Sequence, residues 1–261
     1  MRLRDFVEEF ATASDDHSLA VINSDQPPTV TRMLDGLFSN QPVDIETVNR
    51  ALAEEDVIQL RRDGHIVAES RFSDLRDAIL AVNADIYTTG VRSLADIETP
   101  AVIRDLERIK FHVRGYPAAS KGKLLLIEIS RYIESLAAEV GVGELHAGFQ
   151  RLSRLTHERG TRRAYDELVQ TDLSIHVYGT GQLDIPTSWH LTVHADDASE
   201  LQRGWFVIFD PPADTQIAGA ALIAYSIDLK QNEWVGAWTS DANSISRLRS
   251  YLTTTYNSSM D

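Results

Sequence analysis

The chain has 261 residues, 39 acidic against 25 basic side chains, a formal net charge of −14 and no cysteine. Its length fits one large domain or two small ones able to bury a core without cross-links. The missing thiols exclude disulfides, thiolate metal sites, iron–sulfur clusters and a Cys nucleophile, and the acidity argues against nucleic acid and anionic lipid as partners.

Leu3, Phe6, Val7 and Phe10 stand at helical spacing among Arg2, Arg4, Asp5, Glu8 and Glu9. That is an amphipathic helix rather than a charged leader followed by an apolar core, so a cytoplasmic protein is expected. The longest apolar run, Ala218 to Tyr225, is far short of the ~18–20 residues of a membrane helix. Lysine stands only at positions 110, 121, 123 and 230, leaving 21 arginines. An acid-rich, lysine-poor surface fits a saline cytoplasm, where salt screens carboxylate repulsion; an ordinary acidic protein from a GC-rich genome fits as well.

A short strand is expected at Leu19–Ile22, and Asp25-Gln26-Pro27-Pro28 then opens a helix over Thr29–Phe38. Asp63-Gly64 lies between Val57–Leu60 and His65–Ala68, the clearest hairpin signal in the chain. Ser73 caps a helix carrying Leu75, Ile79, Leu80 and Val82. Residues 83–118 read as a junction with a short helix at Val102–Arg108 and a strand at Phe111–Val113. Leu124–Val140 is the strongest helix, with Leu125, Ile129, Tyr132, Ile133 and Leu136 on one stripe, and Gly141-Val142-Gly143 ends it. A basic segment follows, then a helix over Thr161–Val169. Ser174–Tyr178, Leu191–His194, Trp205–Phe209, Ala220–Tyr225 and Trp234–Thr239 read as strands, and a helix over Ser244–Tyr256 closes the chain. The expected fold is mixed α/β (α+β): a mostly antiparallel C-terminal sheet flanked by helices, residues 116–261, after a smaller α/β region, residues 1–115.

The chemical motifs are mostly negative. Gly179-Thr180-Gly181 has neither the third glycine nor the helix of a phosphate loop, and no nucleophile elbow is present. On a strand, His190 and His194 stand ~13 Å apart, too far for one ion, so no metal site is assigned. His176 on a neighbouring strand allows a pocket holding two of these histidines. An enzyme with a dispersed site would draw on His176, His190 and His194 with Asp184 or Asp210. Acid pairs such as Asp15/Asp16, Glu54/Glu55 and Asp196/Asp197 read as solvated.

Two features stand out. Arg151, Arg154, Arg159, Arg162 and Arg163 face a single acid, Glu158, within residues 150–165. Such an island suits a phosphate or carboxylate ligand or an acidic partner, with Arg151, Arg154, Arg162 and Arg163 as the binding set; pairing with the surrounding acids is the plainer reading. The second is aromatic crowding. Trp205 shares a strand face with Val207 and Phe209, and Trp234 with Trp238. Tyr178, Trp205, Tyr225, Trp234 and Trp238 are the candidate lining of a small-molecule cavity, with plain core as the alternative.

Several blocks fall in order: Phe149-Gln150-x-x-Ser153-Arg154, Gly160-Thr161-Arg162-x-x-Tyr165-x-x-Leu168, His176-Val177-Tyr178-Gly179, Trp205-Phe206-Val207, Ala220-Ala221-Leu222-Ile223-Ala224 and Gly236-Ala237-Trp238-Thr239. Over about residues 118–256 this set resembles the DICT sensory domain of diguanylate cyclases and two-component systems. The whole chain is similar to the stand-alone haloarchaeal members. The resemblance implies a non-enzymatic, cytoplasmic sensory protein of signal transduction, in a family associated with light responses. It supplies no catalytic residue and no known cofactor. The implied partners are an unidentified small ligand or a signalling protein such as a histidine kinase or transducer, and a homodimer fits the same reading. Kinase glycine boxes and the cyclase signature are absent from the sequence. Ala237 stands where a bulkier residue such as phenylalanine is expected, which would widen a cavity there.

Overall fold

A computed structural model of the chain describes residues 1–11, 17–22, 36–38, 41–48, 56–87, 93–114 and 122–256. The Asp25–Pro28 break, residues 29–35 of the Thr29–Phe38 helix and the pairs Asp15/Asp16 and Glu54/Glu55 lie outside them; residues 36–38 are helical.

A four-stranded sheet is built from β1 (His17–Ile22), β2 (Asp44–Val48), β3 (Val57–Arg62) and β4 (His65–Arg71), in the order β2-β1-β3-β4. The expected hairpin joins β3 to β4. Asp63 at φ 50° and Gly64 at φ 77° both take the left-handed values of a tight hairpin turn, which Asp-Gly adopts at low cost. A helix over Phe72–Tyr87 follows directly, so Ser73 sits inside its first turn and donates to the Asp74 carboxylate instead of capping it.

The larger sheet has seven strands: β5 (Phe111–Arg114), β6 (Val142–Arg151), β7 (Asp172–Thr180), β8 (Thr192–Ala195), β9 (Gly204–Asp210), β10 (Ala220–Asp228) and β11 (Glu233–Thr239), in the order β5-β11-β10-β9-β6-β7-β8. The pairings from β5 to β6 are antiparallel, and those of β6 with β7 and β7 with β8 are parallel. The fold is thus mixed α/β with flanking helices. The sequence reading passes over β6, the strand on which the sheet changes sense. The helix Arg159–Leu168 carries the crossover from β6 to its parallel neighbour β7.

Each face of this sheet is covered by helices because its strands alternate. Leu145, Ala147, Val177, Val207, Phe209 and Leu222 point to one face and meet Leu125, Leu126, Ile129 and Ile133 of the long helix Gly122–Val140. Leu19, Ile58, Leu60, Phe72 and Ile79 of the N-terminal region join the same buried cluster. On the other face, Phe206, Ile208, Ala221, Ile223, Val235 and Ala237 are covered by Leu3, Phe6, Val7 and Phe10 of the first helix, Leu3–Phe10. Ile245, Leu248 and Leu252 of the last helix, Ala242–Thr255, complete that cover. Full burial of one such leucine stabilises the fold by about 1.5–3 kcal/mol. The last helix starts where the Asp241 side chain accepts from Ser244 N at 2.8 Å, a bond that lowers the Asp241 pKa.

The division expected between residues 115 and 116 is crossed by strand pairing and by helix packing. β5 pairs with β11, and the first helix packs on β10 and β11.

Candidate functional site

Strand alternation builds one polar layer at the β6–β8 end of the sheet, on the face that carries the last helix. On β6, Glu144 and His146 point to that face, followed by Gly148. On β7 the same face holds Ser174, His176 and Tyr178, and β8 adds His194. Parallel register sets Glu144 beside Ser174, His146 beside His176 and Gly148 beside Tyr178, while Tyr178 lies beside His194. Gly148 is required here, because a Cβ would come within 2.4 Å of the Phe206 ring, itself fully buried.

The rings stack as flat plates. His146 and His176 lie 4.6 Å apart at 8°, and Tyr178 and His194 lie 4.3 Å apart at 5°. Hydrogen bonds run along the layer, and their fixed acceptors assign the tautomers. His194 Nδ1 is 2.7 Å from the Tyr256 carbonyl oxygen, which only accepts, so Nδ1 carries the proton and Nε2 is an acceptor. His176 Nδ1 therefore donates to His194 Nε2 at 3.1 Å, and its free Nε2 accepts from Ser174 Oγ at 3.1 Å. In the second path, His146 Nε2 donates to Glu144 Oε2 at 3.1 Å, so His146 Nδ1 accepts from the Tyr178 hydroxyl at 2.9 Å. Glu144 also meets Arg249 Nη1 of the last helix at 3.0 Å, and the same Nη1 lies 3.1 Å from Asp210 Oδ2.

Burial makes the histidines neutral. His146 is fully buried, and that burial is the main force taking its pKa down to about 4, against the opposing bond from Glu144. Burial likewise lowers His176, with the charge of His194 in second place, and lowers His194 against its bond to Tyr256. Burial raises the Tyr178 hydroxyl, with Glu144 second. For Glu144 burial pushes upward, but the His146 bond and the Arg249 cation together bring the carboxyl below its ordinary value. The layer opens to solvent on one side, where Ser174 is exposed, His176 half-buried and the Glu144 side chain 39% exposed.

This layer touches the last helix twice: at Arg249 through Glu144, and at Tyr256, the residue closing the helix, through His194. Tyr251 and Tyr256 also donate to the same Glu200 oxygen, at 2.5 and 2.9 Å. Burial first and Glu200 second push the Tyr251 hydroxyl up to about 12.

The residues singled out from the sequence are distributed differently. The five aromatics do not converge on one cavity. Trp205, Trp234 and Trp238 face the long helix, whereas Tyr178 and Tyr225 belong to the opposite face. Trp238 is core, its indole N–H donating to the Leu106 carbonyl at 2.6 Å. Ala237 is fully buried on the face of the first and last helices. Of the histidines, His176 and His194 meet as the two-histidine reading allows, while His190 and Asp184 are exposed elsewhere, and Asp210, the β9 register partner of Glu144, joins the layer beside it and meets Arg249. The arginine island spans the end of β6 and two helices, Arg154–His157 and Arg159–Leu168. Arg151 and Arg162 are exposed, Arg154 lies 3.9 Å from Glu158, and Arg163 lies 3.5 Å from Glu167. Burial first and the charge of Arg154 second lower the pKa of Lys123 beside it.

The sequence reading misses Glu144 and His146. Their signal is present: Leu145, Ala147 and Phe149 alternate with Glu144, His146 and Gly148, a period of two obscured by glycines and polar residues that turn inward.

The layer offers two kinds of chemistry. Glu144, His146 and His176 bring one donor atom each within 4.8 Å of one another, a set of metal-ligand type. Ser174, His176 and His194 stand in the order of nucleophile, base and orienting group, but Ser174 lines neither of two clefts on the described surface. One of these, about 750 Å³, lies between β4, the helix Phe72–Tyr87 and residues 96–101; the other, about 380 Å³, lies between the first and last helices.

Residues 103–225 match the family model described as DICT, "Sensory domain in DIguanylate Cyclases and Two-component system". The match begins before the span read from the sequence and ends within β10, ahead of β11 and the last helix. No curated protein matches the chain. Among solved structures, "Polyphosphate Kinase from Porphyromonas Gingivalis" aligns with 97% of this chain at 10% identity and a TM-score of 0.35, and the chain covers 47% of that protein's length. No helix among the described residues is long and apolar enough to cross a membrane.

Proposed function

Because residues 103–225 of this chain form a DICT sensory domain, with the signalling role that such a domain carries, we propose that it is a non-enzymatic cytoplasmic sensory or regulatory protein that binds a small ligand or a signalling partner. The imidazole–phenol layer receives the input and the last helix passes it on, to a partner such as a histidine kinase or transducer. One observation carries this reading: the hydrogen-bond path Ser174–His176–His194 ends on the backbone carbonyl of Tyr256, at the close of the last helix. A ligand that prefers one arrangement of the layer thereby shifts the helix end between two states in proportion to its differential affinity.

Hydrogen exchange tests the connection. In His194→Phe the ring still stacks on Tyr178, but both hydrogen bonds are lost. Amides of residues 250–256 are then expected to exchange several-fold faster, with β9 and β10 unchanged. Unaltered exchange at the helix end would count against the layer as its anchor.

The Ser174–His176–His194 alignment also fits a serine hydrolase, a second reading with a direct test. A serine-directed fluorophosphonate is expected to leave Ser174 unlabelled at pH 7. The hydroxyl is exposed on a strand, and its base is held below the ordinary histidine pKa. Stoichiometric labelling at Ser174, abolished by His176→Ala, would establish the hydrolase instead.

A further inference from the structure

The open end of the layer presents a ligand set that the sensory reading leaves unused. His146 and His176 are register partners on parallel strands, so their rings lie side by side. The Nε2 atom of each faces the residue two positions earlier on its own strand, Glu144 for His146 and Ser174 for His176. Two imidazole nitrogens and a carboxylate oxygen are thereby gathered at the solvent-facing side of an otherwise buried layer. We propose that Glu144, His146 and His176 bind a divalent transition-metal ion, with the open side left for water or a fourth ligand. This names the input of the sensory reading and rests on it.

The donor types select the ion class. Imidazole nitrogen with a single carboxylate suits Zn²⁺, Ni²⁺, Co²⁺ or Cu²⁺, whereas Mg²⁺ and Ca²⁺ require shells of oxygen. An imidazole ligates as the neutral ring, with one nitrogen for the ion and the other for an outer hydrogen bond. His176 has its outer hydrogen bond in place, with Nδ1–H on His194 and Nε2 free once Ser174 turns away. His146 moves its proton from Nε2 to Nδ1, where the Tyr178 oxygen accepts it, so the tautomer changes without net proton release.

The geometry also states what binding changes. At 8° between ring planes, the two Nε2 lone pairs lie in near-parallel planes and do not meet at one point. One ion can meet both only if a ring tilts, and the half-buried His176 has the freedom that His146 lacks. That tilt reaches His194 and then the Tyr256 carbonyl. Glu144 in turn divides its charge between the ion and Arg249. Both contacts to the last helix are altered by one event at the open edge.

The test uses the full-length, untagged, chelator-washed chain, with Co²⁺ as the spectroscopic probe and Zn²⁺ as competitor. The expected result is a visible d–d band that saturates at one equivalent of Co²⁺, is displaced by Zn²⁺, and requires about tenfold or more added metal in His176→Ala and in Glu144→Gln. His190→Ala, which removes an exposed histidine away from the layer, is expected to leave the titration unchanged. No saturable band, or a band indifferent to both layer variants while their circular dichroism is native, overturns the site. Should His176→Ala fail to fold, Glu144→Gln alone decides the matter, because its side chain is partly exposed and the amide retains the contact to Arg249. Exchange of residues 250–256 with and without Zn²⁺ is read separately. Binding that leaves the helix end unchanged keeps the metal site and removes the coupling; absent binding removes the metal site and leaves the coupling as measured by His194→Phe.

Discussion

Trp238→Ala is expected to destabilise the chain by about 3–5 kcal/mol, through the core and not through a ligand. Trp238 is 2% exposed and stands edge-on to Tyr132, with ring centroids 6.2 Å apart. It pairs with Leu222 of β10, and its indole N–H holds the Leu106 carbonyl at 2.6 Å. The backbone repeats that link, since Arg108 N donates to the Trp238 carbonyl at 3.0 Å. Truncation therefore opens a large cavity under the long helix and strands a buried carbonyl. Trp238→Phe separates the two effects, keeping an aromatic ring and losing the hydrogen bond, at about 1–3 kcal/mol for the unsatisfied group. Urea unfolding followed by circular dichroism at 222 nm measures both. A loss below about 1 kcal/mol for Trp238→Ala would return this residue to the list of ligand contacts.

The same tryptophan shows how far the sequence could be read. Alternation placed Trp234 with Trp238, and Trp205 with Val207 and Phe209, on single faces, and the structure agrees, because a strand's period of two is local. Which face of the sheet a strand presents to which helix is not local. Tyr178 and Tyr225 are therefore separated from the tryptophans by the sheet itself. The helices Leu3–Phe10, Gly122–Val140 and Ala242–Thr255 were legible from their apolar stripes, and the strands β7 to β11 from their apolar runs. β6 was not, because half of its inward residues are polar or glycine: Glu144, His146 and Gly148 face a layer that satisfies them only after β7 has paired. The candidate site is almost wholly a product of that parallel pairing. His176 and His194 come from adjacent strands and were within reach of the sequence. The stack of His146 on His176 needs a crossover helix, a register and a third strand, and no spacing along the chain encodes it.

Acid sensitivity follows from the same burial. In the unfolded chain His146 takes a proton near its ordinary pKa of 6.5; in the fold it stays neutral down to about 4. Between these values the unfolded state binds a proton that the folded state refuses, so stability is fully present above the unfolded pKa and falls as pH drops. The whole interval corresponds to on the order of 3 kcal/mol, of which about 2 kcal/mol is lost between pH 7 and pH 5. His176 and His194 are shifted the same way and add to the slope. Glu144, the carboxylate facing His146, has its pKa lowered, so its loss comes at lower pH and leaves this window to the imidazoles. Burial holds the Tyr178 hydroxyl above its ordinary pKa, so it keeps its proton throughout. His146→Phe keeps a ring in the stack and removes the titration. It is expected to be less stable than the parent at pH 7, because Tyr178 and Glu144 lose a partner, yet to lose about 2 kcal/mol less on going to pH 5. Urea midpoints at the two pH values, measured in chelator so that bound metal does not compete with the proton, provide the comparison. Equal pH slopes for parent and variant would mean that His146 is already protonated in the fold at pH 5. The depressed pKa of His146 would then be wrong, and at pH 5 the Tyr178 hydroxyl would have to turn to another acceptor, because a protonated ring has none to offer.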